Sequence, residues 1–320
     1  MRRRGSLFVL VAAVAALLWL FASWSLPGPG PRDQDFVVPR GASLSSVADQ
    51  LETAGAIRSA TLFRLRAQVL GGAAPVKAGH FVLPKGASER TLLDLLQGGK
   101  VLRRFVTIPE GMASILVYER LMATPGLEGD IPVPAEGSIL PDTYEVGVGE
   151  NRAAVVARMQ AAMNATLEEL WAKRSPATFV KTPQEAVILA AIVEKETGKA
   201  EERRLIAGLY TNRLRIGMRL QADPTVIYPV TKGKPLGRRI LKSELRAKNG
   251  YNTYAMAGLP VGPITNPGRA SIEAVLNPAS TKDLFFVADG TGGHVFAQTL
   301  AEHNANVARW YKLRRERGEM

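Results

Sequence analysis

The chain has 320 residues, 46% of them hydrophobic and 22% charged, enough to bury a sizeable core and unlike a disordered protein. It contains no cysteine, which excludes disulfides, thiolate metal sites and a cysteine nucleophile. A formal net charge of +12 points to an anionic partner, but no zinc-finger, RNA-recognition or basic-zipper pattern accompanies it, so nucleic acid is not the expected one.

Arg2, Arg3 and Arg4 precede an apolar run from Leu7 to Leu26, followed by Pro27-Gly28-Pro29-Gly30-Pro31. A helix of that length rises about 30 Å, the thickness of a bilayer core. With the arginines inside, the rest of the chain lies outside. A cleaved signal peptide is the rival reading; the lack of a clean small-x-small cleavage site and the placement of Trp19 and Trp24 as interfacial anchors favour a retained single-pass anchor. The expected division is therefore a cytoplasmic tail at 1–6, a transmembrane helix at 7–26 and a Pro/Gly linker at 27–35.

Beyond the linker one phrase recurs. Val38-Pro39-Arg40-Gly41-Ala42-Ser43 leads into Leu44, Val47, Ala48 and Leu51 at helical spacing, and Leu83-Pro84-Lys85-Gly86-Ala87-Ser88 leads into Leu92, Leu93, Leu95 and Leu96. A weaker copy, Ile108-Pro109-Glu110-Gly111-Met112, precedes Ile115, Leu116 and Leu121. Each reads as strand, tight turn and capped helix: Pro and Gly stop the strand, and the serine accepts from free helix amides. The expectation is a small α/β module over 36–100 and a larger mixed α+β domain over 101–320.

In the larger region, Glu136 to Tyr144 is a loop of turn residues that brings Glu136 and Tyr144 toward any cleft. Ala153 to Trp171 is a helix with Val155, Met159 and Met163 on one face. Thr182-Pro183-Gln184-Glu185 starts the next helix, with Thr182 as N-cap, Pro183 at the first position and Glu185 completing a capping box. That helix runs through Ala186 to Val193, apolar on all sides and so destined for the core, and stops near Thr197-Gly198.

Two carboxylates occupy its end. Glu194 and Glu196 lie about 200° apart around the helix. Glu196 follows Leu189, Ile192 and Val193, the more apolar face, so desolvation and the negative end of the helix dipole both raise its pKa, as a general acid needs. Against this stands a structural reading in which both pair with Lys195, Arg203 or Arg204 on the surface. In the following helix Leu205, Leu209, Asn212 and Ile216 form one stripe, so Asn212 must find a hydrogen-bond partner. Gln221-Ala222-Asp223-Pro224-Thr225 opens another helix with Tyr228 one turn on, and Tyr251-Asn252-Thr253-Tyr254 leads into a long aromatic and amide-rich loop through Pro263. Tyrosine faces and carboxamides suit a sugar ligand.

Asn266-Pro267 caps a helix to about Leu276, Leu284–Ala288 and His294–Ala297 form a hairpin, and a basic amphipathic helix spans about Leu300 to Arg315. His80, His294 and His303 lack metal-ligand spacing and read as structural.

Taken together, Val193-Glu194-Lys195-Glu196-Thr197, the stretch Asn212 to Tyr228 (NRLRIGMRLQADPTVIY), Tyr251-Asn252-Thr253-Tyr254, Gly258-Leu259-Pro260 and Phe286-Val287-Ala288-Asp289-Gly290 closely resemble the endolytic murein transglycosylases, the MltG or YceG-like family. The resemblance covers roughly Gln34 to the C-terminus. It implies a single-pass inner-membrane protein with its bulk in the periplasm, a LysM-like subdomain at 36–100 and a catalytic domain at 101–320. It also implies cleavage of the bond between N-acetylmuramic acid and N-acetylglucosamine in peptidoglycan strands, leaving 1,6-anhydro ends and terminating nascent strands.

The family's catalytic glutamate maps onto Glu196. Asn212, Gln221, Asp223, Thr225, Tyr228, Asn252, Tyr254 and Tyr144 are the expected substrate-placing residues, and Glu194 either tunes Glu196 or is structural. The sugar supplies its own nucleophile, so no metal or cofactor is implied. The implied partners are the glycan strands and the peptidoglycan synthases (penicillin-binding proteins). Two alternatives remain: a non-catalytic cell-wall-binding scaffold, and a hydrolytic muramidase with Asp223 as its second carboxylate.

Overall fold

The computed structural model describes residues 11–319 except 13, 16, 17, 21, 40, 73 and 99–102. The fold is mixed α+β and divides into two compact units, Met1–Arg104 with Glu145–Val148, and Phe105–Tyr144 with Gly149–Met320.

Much of the expected membrane span 7–26 falls outside the described residues. Its described positions from Val11 to Trp24 are helical, yet among the described residues no helix is long and apolar enough to cross a membrane. Trp24, expected as an interfacial anchor, is instead buried, with its ring 5.8 Å from that of Phe63. An indole placed against a protein core buries its area there and has no need of a lipid interface.

In the first unit, β1 (Gln34–Val38) is followed by α1 (Leu44–Thr53), α2 (Ala60–Leu70), β2 (Gly79–Leu83) and α3 (Glu89–Gly98). The strands pair antiparallel, with Gln34 opposite Leu83 and Val38 opposite Gly79. Alternation sends Phe36, Val38, Phe81 and Leu83 into a core shared with Val47, Leu51, Leu92 and Leu96. The two phrase repeats fold as their sequence implies: Ser43 Oγ accepts from the Ser46 amide at 3.1 Å, and Ser88 Oγ from the Thr91 amide at 3.1 Å. Arg66 and Glu89 form a buried ion pair at 2.8 Å.

The strands β3 (Arg104–Thr107) and β5 (Thr143–Val146) each have residues in both units. The second unit carries α4 (Ser114–Ala123), β4 (Leu127–Glu128), β6 (Glu150–Asn151), α5 (Arg152–Ala172), α6 (Pro183–Glu196), α7 (Arg203–Arg215) and α8 (Asp223–Thr231). After these come the short α9 (Lys242–Arg246), α10 (Arg269–Leu276), the antiparallel hairpin β7 (Phe285–Ala288) and β8 (His294–Ala297), and α11 (Leu300–Glu316). Its core is helical, with α6 packed on α7 and α10. Ala186, Leu189, Ala190, Ala191, Ile192 and Val193 are wholly buried, and each large one contributes about 1.5–3 kcal/mol.

Two expected caps differ. Thr182 Oγ1 accepts from the Glu185 amide at 3.1 Å as expected, but Glu185 Oε2 takes the Lys181 amide at 2.6 Å, one residue before the cap, so the reciprocal box is not closed. Asn266 does not cap α10; Gly268 holds that position, and its amide is satisfied from another helix. Asn266 is fully buried, its Nδ2 donating to Met112 O at 2.9 Å and Ser114 Oγ at 3.0 Å while Oδ1 accepts from the Ile139 amide. A buried amide with several partners across the chain gains more there than at one helix end.

Candidate active site

Helix α6 runs through the core and delivers Glu194 and Glu196 at its last turn. Both are shielded from solvent, and their partners separate them. Glu194 Oε2 accepts the Gly268 amide at 2.9 Å, satisfying a free donor at the start of α10, and Oε1 lies 3.8 Å from Arg203. Arg203 also reaches Glu110 at 3.2 Å.

Oε1 of Glu196, by contrast, is buried without any hydrogen-bond partner. Burial pushes the carboxyl up to about 7; the Tyr210 hydroxyl directed at it opposes the shift, the charge of Asp223 adds to it, and Arg213 opposes it. A carboxyl that is half-protonated near neutrality and has one free oxygen can give up a proton and take one back.

Tyr210 and Arg213 come from α7, whose buried surface takes in Leu209 of the stripe read from sequence and also a face that the stripe missed. Ile206, Tyr210 and Arg213 point inward, whereas Ile216 is 63% exposed. The helix is buried on more than one side, which blurs the apolar period that would have revealed them. Asn212 meets the expectation of a partner: its Nδ2 donates to Thr281 O at 2.9 Å and Asp283 O at 3.2 Å, tying α7 to the segment before β7.

Asp223 opens α8 just after a strained residue. Gln221 has φ of 51°, a left-handed conformation unusual for a side-chain-bearing residue. The bend is held by the Gln221 amide on Thr253 O at 3.2 Å and the Ala222 amide on Thr253 Oγ1 at 3.1 Å. The Gln221 side chain is exposed. Beyond the bend, the Tyr254 hydroxyl donates to Asp223 Oδ1 at 2.6 Å. Glu196, Asp223, Tyr254, Tyr210 and Arg213 thus influence one another at one place.

Other expected substrate contacts have internal partners. Asn252 is fully buried; its Nδ2 donates to the carbonyls of Glu244, Leu245 and Ala247, and its Oδ1 accepts the Tyr254 amide at 2.9 Å. Thr225, also fully buried, shares a 2.8 Å hydroxyl contact with Thr253 and donates to Ala222 O. Tyr144 is buried with its hydroxyl on Leu140 O at 2.7 Å. Asn252 and Thr225 shape the loops that carry Asp223 and Tyr254.

A second polar group forms around Glu136. Its Oε1 accepts the Ser114 amide at 2.8 Å, and its carboxyl bonds with the Tyr228 hydroxyl, while burial raises its pKa. The Tyr228 ring lies 5.0 Å from that of Tyr251, a partly open aromatic pair. Gly137, with φ of +76°, lets this turn approach α6: a Cβ there would stand 2.8 Å from Val187 and 2.7 Å from Pro263. Among the described residues no cluster of His, Asp and Glu has the form of a metal site.

The model of the YceG-like family matches residues 36–309. The chain belongs to the YceG-like family. A Bacillus subtilis member named endolytic murein transglycosylase is 27% identical over 312 residues, covering 88% of this chain and 85% of its own. A Streptococcus pneumoniae protein of the same name is 29% identical over 320 residues, of whose length the alignment spans 57%. The crystal structure of a yceG-like protein from Listeria monocytogenes superposes with a TM-score of 0.54 at 26% identity, covering 86% of this chain and 98% of that one. The YceG-like match extends across both compact units, from β1 to within α11.

Proposed function

We propose that this YceG-like protein is an endolytic peptidoglycan transglycosylase, a carbon–oxygen lyase that cleaves the bond between N-acetylmuramic acid and N-acetylglucosamine. The observation that carries the reading is Glu196, a buried carboxyl with a pKa near 7 and a free oxygen. The names of the Bacillus and Streptococcus relatives support it.

Glu196 Oε1 protonates the glycosidic oxygen as the bond to C1 of the muramic acid breaks, and N-acetylglucosamine leaves with a free hydroxyl. The carboxylate then takes the proton of the muramic acid C6 hydroxyl as its oxygen bonds to C1, closing a 1,6-anhydro ring. One carboxyl acts twice and no water is consumed. Asp223, clamped by Tyr254, supplies negative charge beside the positive charge that develops at C1. The Tyr228 and Tyr251 rings offer sugar-stacking faces.

Around this core reaction, the apolar run at 7–26 anchors the chain in the inner membrane with its bulk in the periplasm, and the first unit, LysM-like, holds glycan. The enzyme works beside peptidoglycan synthases and ends nascent strands. Mass spectrometry of fragments released from purified glycan by wild type and Glu196→Gln tests the reading. Anhydro ends from wild type and none from the variant are expected; equal release by both excludes Glu196 as the acid. The charge of Asp223 near Glu196 favours one rival, a hydrolytic muramidase, which would leave reducing ends heavier by one water.

A further inference from the structure

Seven basic residues and one acid lie between Thr231 and Gly250, a net +6 out of +12 for the whole chain. Two of the seven have carboxylate partners: Lys234 reaches Glu119 at 2.6 Å and Arg238 reaches Glu244 at 2.5 Å. Lys232, Arg239, Lys242, Arg246 and Lys248 are exposed and, among the described residues, form no ion pair. Like charges gathered in so short a segment repel one another, and an anion bound among them relieves that repulsion.

The segment is rooted at the aromatic pair of the candidate site. It leaves α8 at Lys232, one turn after Tyr228, and returns at Tyr251, whose ring lies 5.0 Å from that of Tyr228. Asn249 Oδ1 fixes the return by accepting the Tyr251 and Asn252 amides at 2.9 and 3.0 Å. At the departure, Lys232 has φ of 54°, a left-handed helix end that glycine occupies without strain. The lysine found there instead sets its ammonium 5.9 Å from the centroid of the Tyr228 ring. A strained backbone thus holds a cation beside a face offered to the sugar.

We propose that the basic segment 231–250 binds the acidic peptide stem of the substrate, so that strands bearing stems are cut in preference to bare ones. The inference rests on the transglycosylase reading. Muramic acid, whose C1 bond breaks, carries at O3 a lactyl ether extended by a short peptide that ends in a free carboxylate. A stem of four residues spans about 14 Å when extended, enough to lie along a segment that begins beside the sugar. Each exposed contact between a cation and a carboxylate is weak and screened by salt, so several act together, and they confer selectivity more than tightness. Phosphates of a lipid surface carry the same sign of charge, but only the stem arrives joined to a sugar that rests on Tyr228 and Tyr251.

The test uses the full chain with a soluble muramoyl tetrapeptide as probe, and with uncrosslinked glycan strands whose stems are intact, converted to carboxamides, or removed by an amidase. Wild type is compared with Lys232→Gly and with a triple variant carrying Arg239→Gln, Lys242→Gln and Lys248→Gln. Calorimetric affinity for the muramoyl tetrapeptide is expected to fall about tenfold in the triple variant and about threefold in Lys232→Gly. Relief of the positive φ nevertheless leaves the melting temperature of Lys232→Gly at or above that of wild type, an outcome that a merely structural lysine does not give.

In cleavage, wild type should show a kcat/KM on intact strands about tenfold above that on carboxamide or bare strands, a margin that shrinks at high salt and vanishes in the triple variant. A muramoyl tetrapeptide that wild type does not bind, or binds no better than the triple variant does, overturns the proposal. Equal cutting of intact and carboxamide strands by wild type overturns it too. Should the triple variant lose binding to vesicles of anionic phospholipid while keeping the stem preference, the segment serves a lipid surface and the proposal falls. A wild type that binds the muramoyl tetrapeptide through these residues but releases no anhydro ends defeats the proposed function and leaves the stem subsite standing.

Discussion

The Glu194 carboxylate accepts the Gly268 amide at 2.9 Å, while Oε1 of Glu196, two residues further along the same helix, is buried with no partner at all. Glu194 has a 4% exposed side chain, so burial alone does not separate the two. What separates them is hydrogen bonding: one carboxylate is committed to the start of α10 and to Arg203, and the other has a free oxygen for substrate. Their contrasting surroundings lead to different expected outcomes on mutation.

Glu196→Gln removes activity and changes stability in a pH-dependent way. The folded-state pKa of about 7 lies above the usual 4.5, so the folded protein binds more protons than the unfolded chain between those values. Wild-type stability therefore falls as pH rises from about 4.5 to 7, by ~3 kcal/mol in full. The variant lacks this loss. Urea unfolding should show it more stable than wild type at pH 8, with the advantage shrinking toward pH 5; a constant difference contradicts the assignment.

Glu194→Gln costs stability. It weakens the bond to the Gly268 amide and leaves Arg203, whose side chain is 14% exposed, without one of its carboxylates. A loss of about 1–3 kcal/mol is expected. Below its melting temperature the variant should still release anhydro ends. Thermal melts paired with a cleavage assay check both statements, and an inactive but fully stable Glu194→Gln would refute them.

Asp223→Asn moves the pH profile. Glu196 must carry its proton to act, so kcat/KM declines as pH rises through about 7, and the negative charge of Asp223 raises that value. Without the charge the decline starts at lower pH. If the products still carry anhydro ends, Asp223 assists the reaction without activating water.

Asn252→Ala unfolds the protein more readily without altering recognition. Its fully buried amide bonds to three carbonyls and to the Tyr254 amide. Orphaning that set costs about 2–4 kcal/mol. KM measured on the folded fraction should match wild type; a raised KM at unchanged stability would return Asn252 to the sugar-binding role expected from sequence.

Much of the fold was legible because its causes are local. Ser43, Ser88 and Thr182 cap helices within three residues of themselves, and Asp289 to Gly293 is a turn between two strands that pair antiparallel. Glu196 is preferred to Glu194 because it follows the more apolar face of the helix, and the resemblance of the surrounding motifs makes the choice firm. Its environment was not legible, since Tyr210 and Arg213 lie on a helix buried on several sides, where no period marks one face. Asn212, Asn252, Thr225 and Tyr144 are expected from sequence to place the sugar, Asn212 because a polar group in an apolar stripe needs a partner and the others because they are polar or aromatic members of the motif loops. The partners they found are backbone groups of the chain itself.

The sequence by itself thus determined the helix that ends in Glu196, the small two-stranded module with its repeated strand–turn–helix phrase, and membership of the YceG-like family. The first two rest on spacing and capping within a few residues, and the family on the resemblance of its motifs. Tertiary structure decided which polar groups are spent internally and which remain available. That outcome depends on carbonyls and amides as distant as Met112 from Asn266 or Gly268 from Glu194, brought together only when the core closes. A carboxyl becomes a proton donor near neutral pH through what surrounds it, and for Glu196 those surroundings are assembled from α7, α8 and the loop of Tyr254.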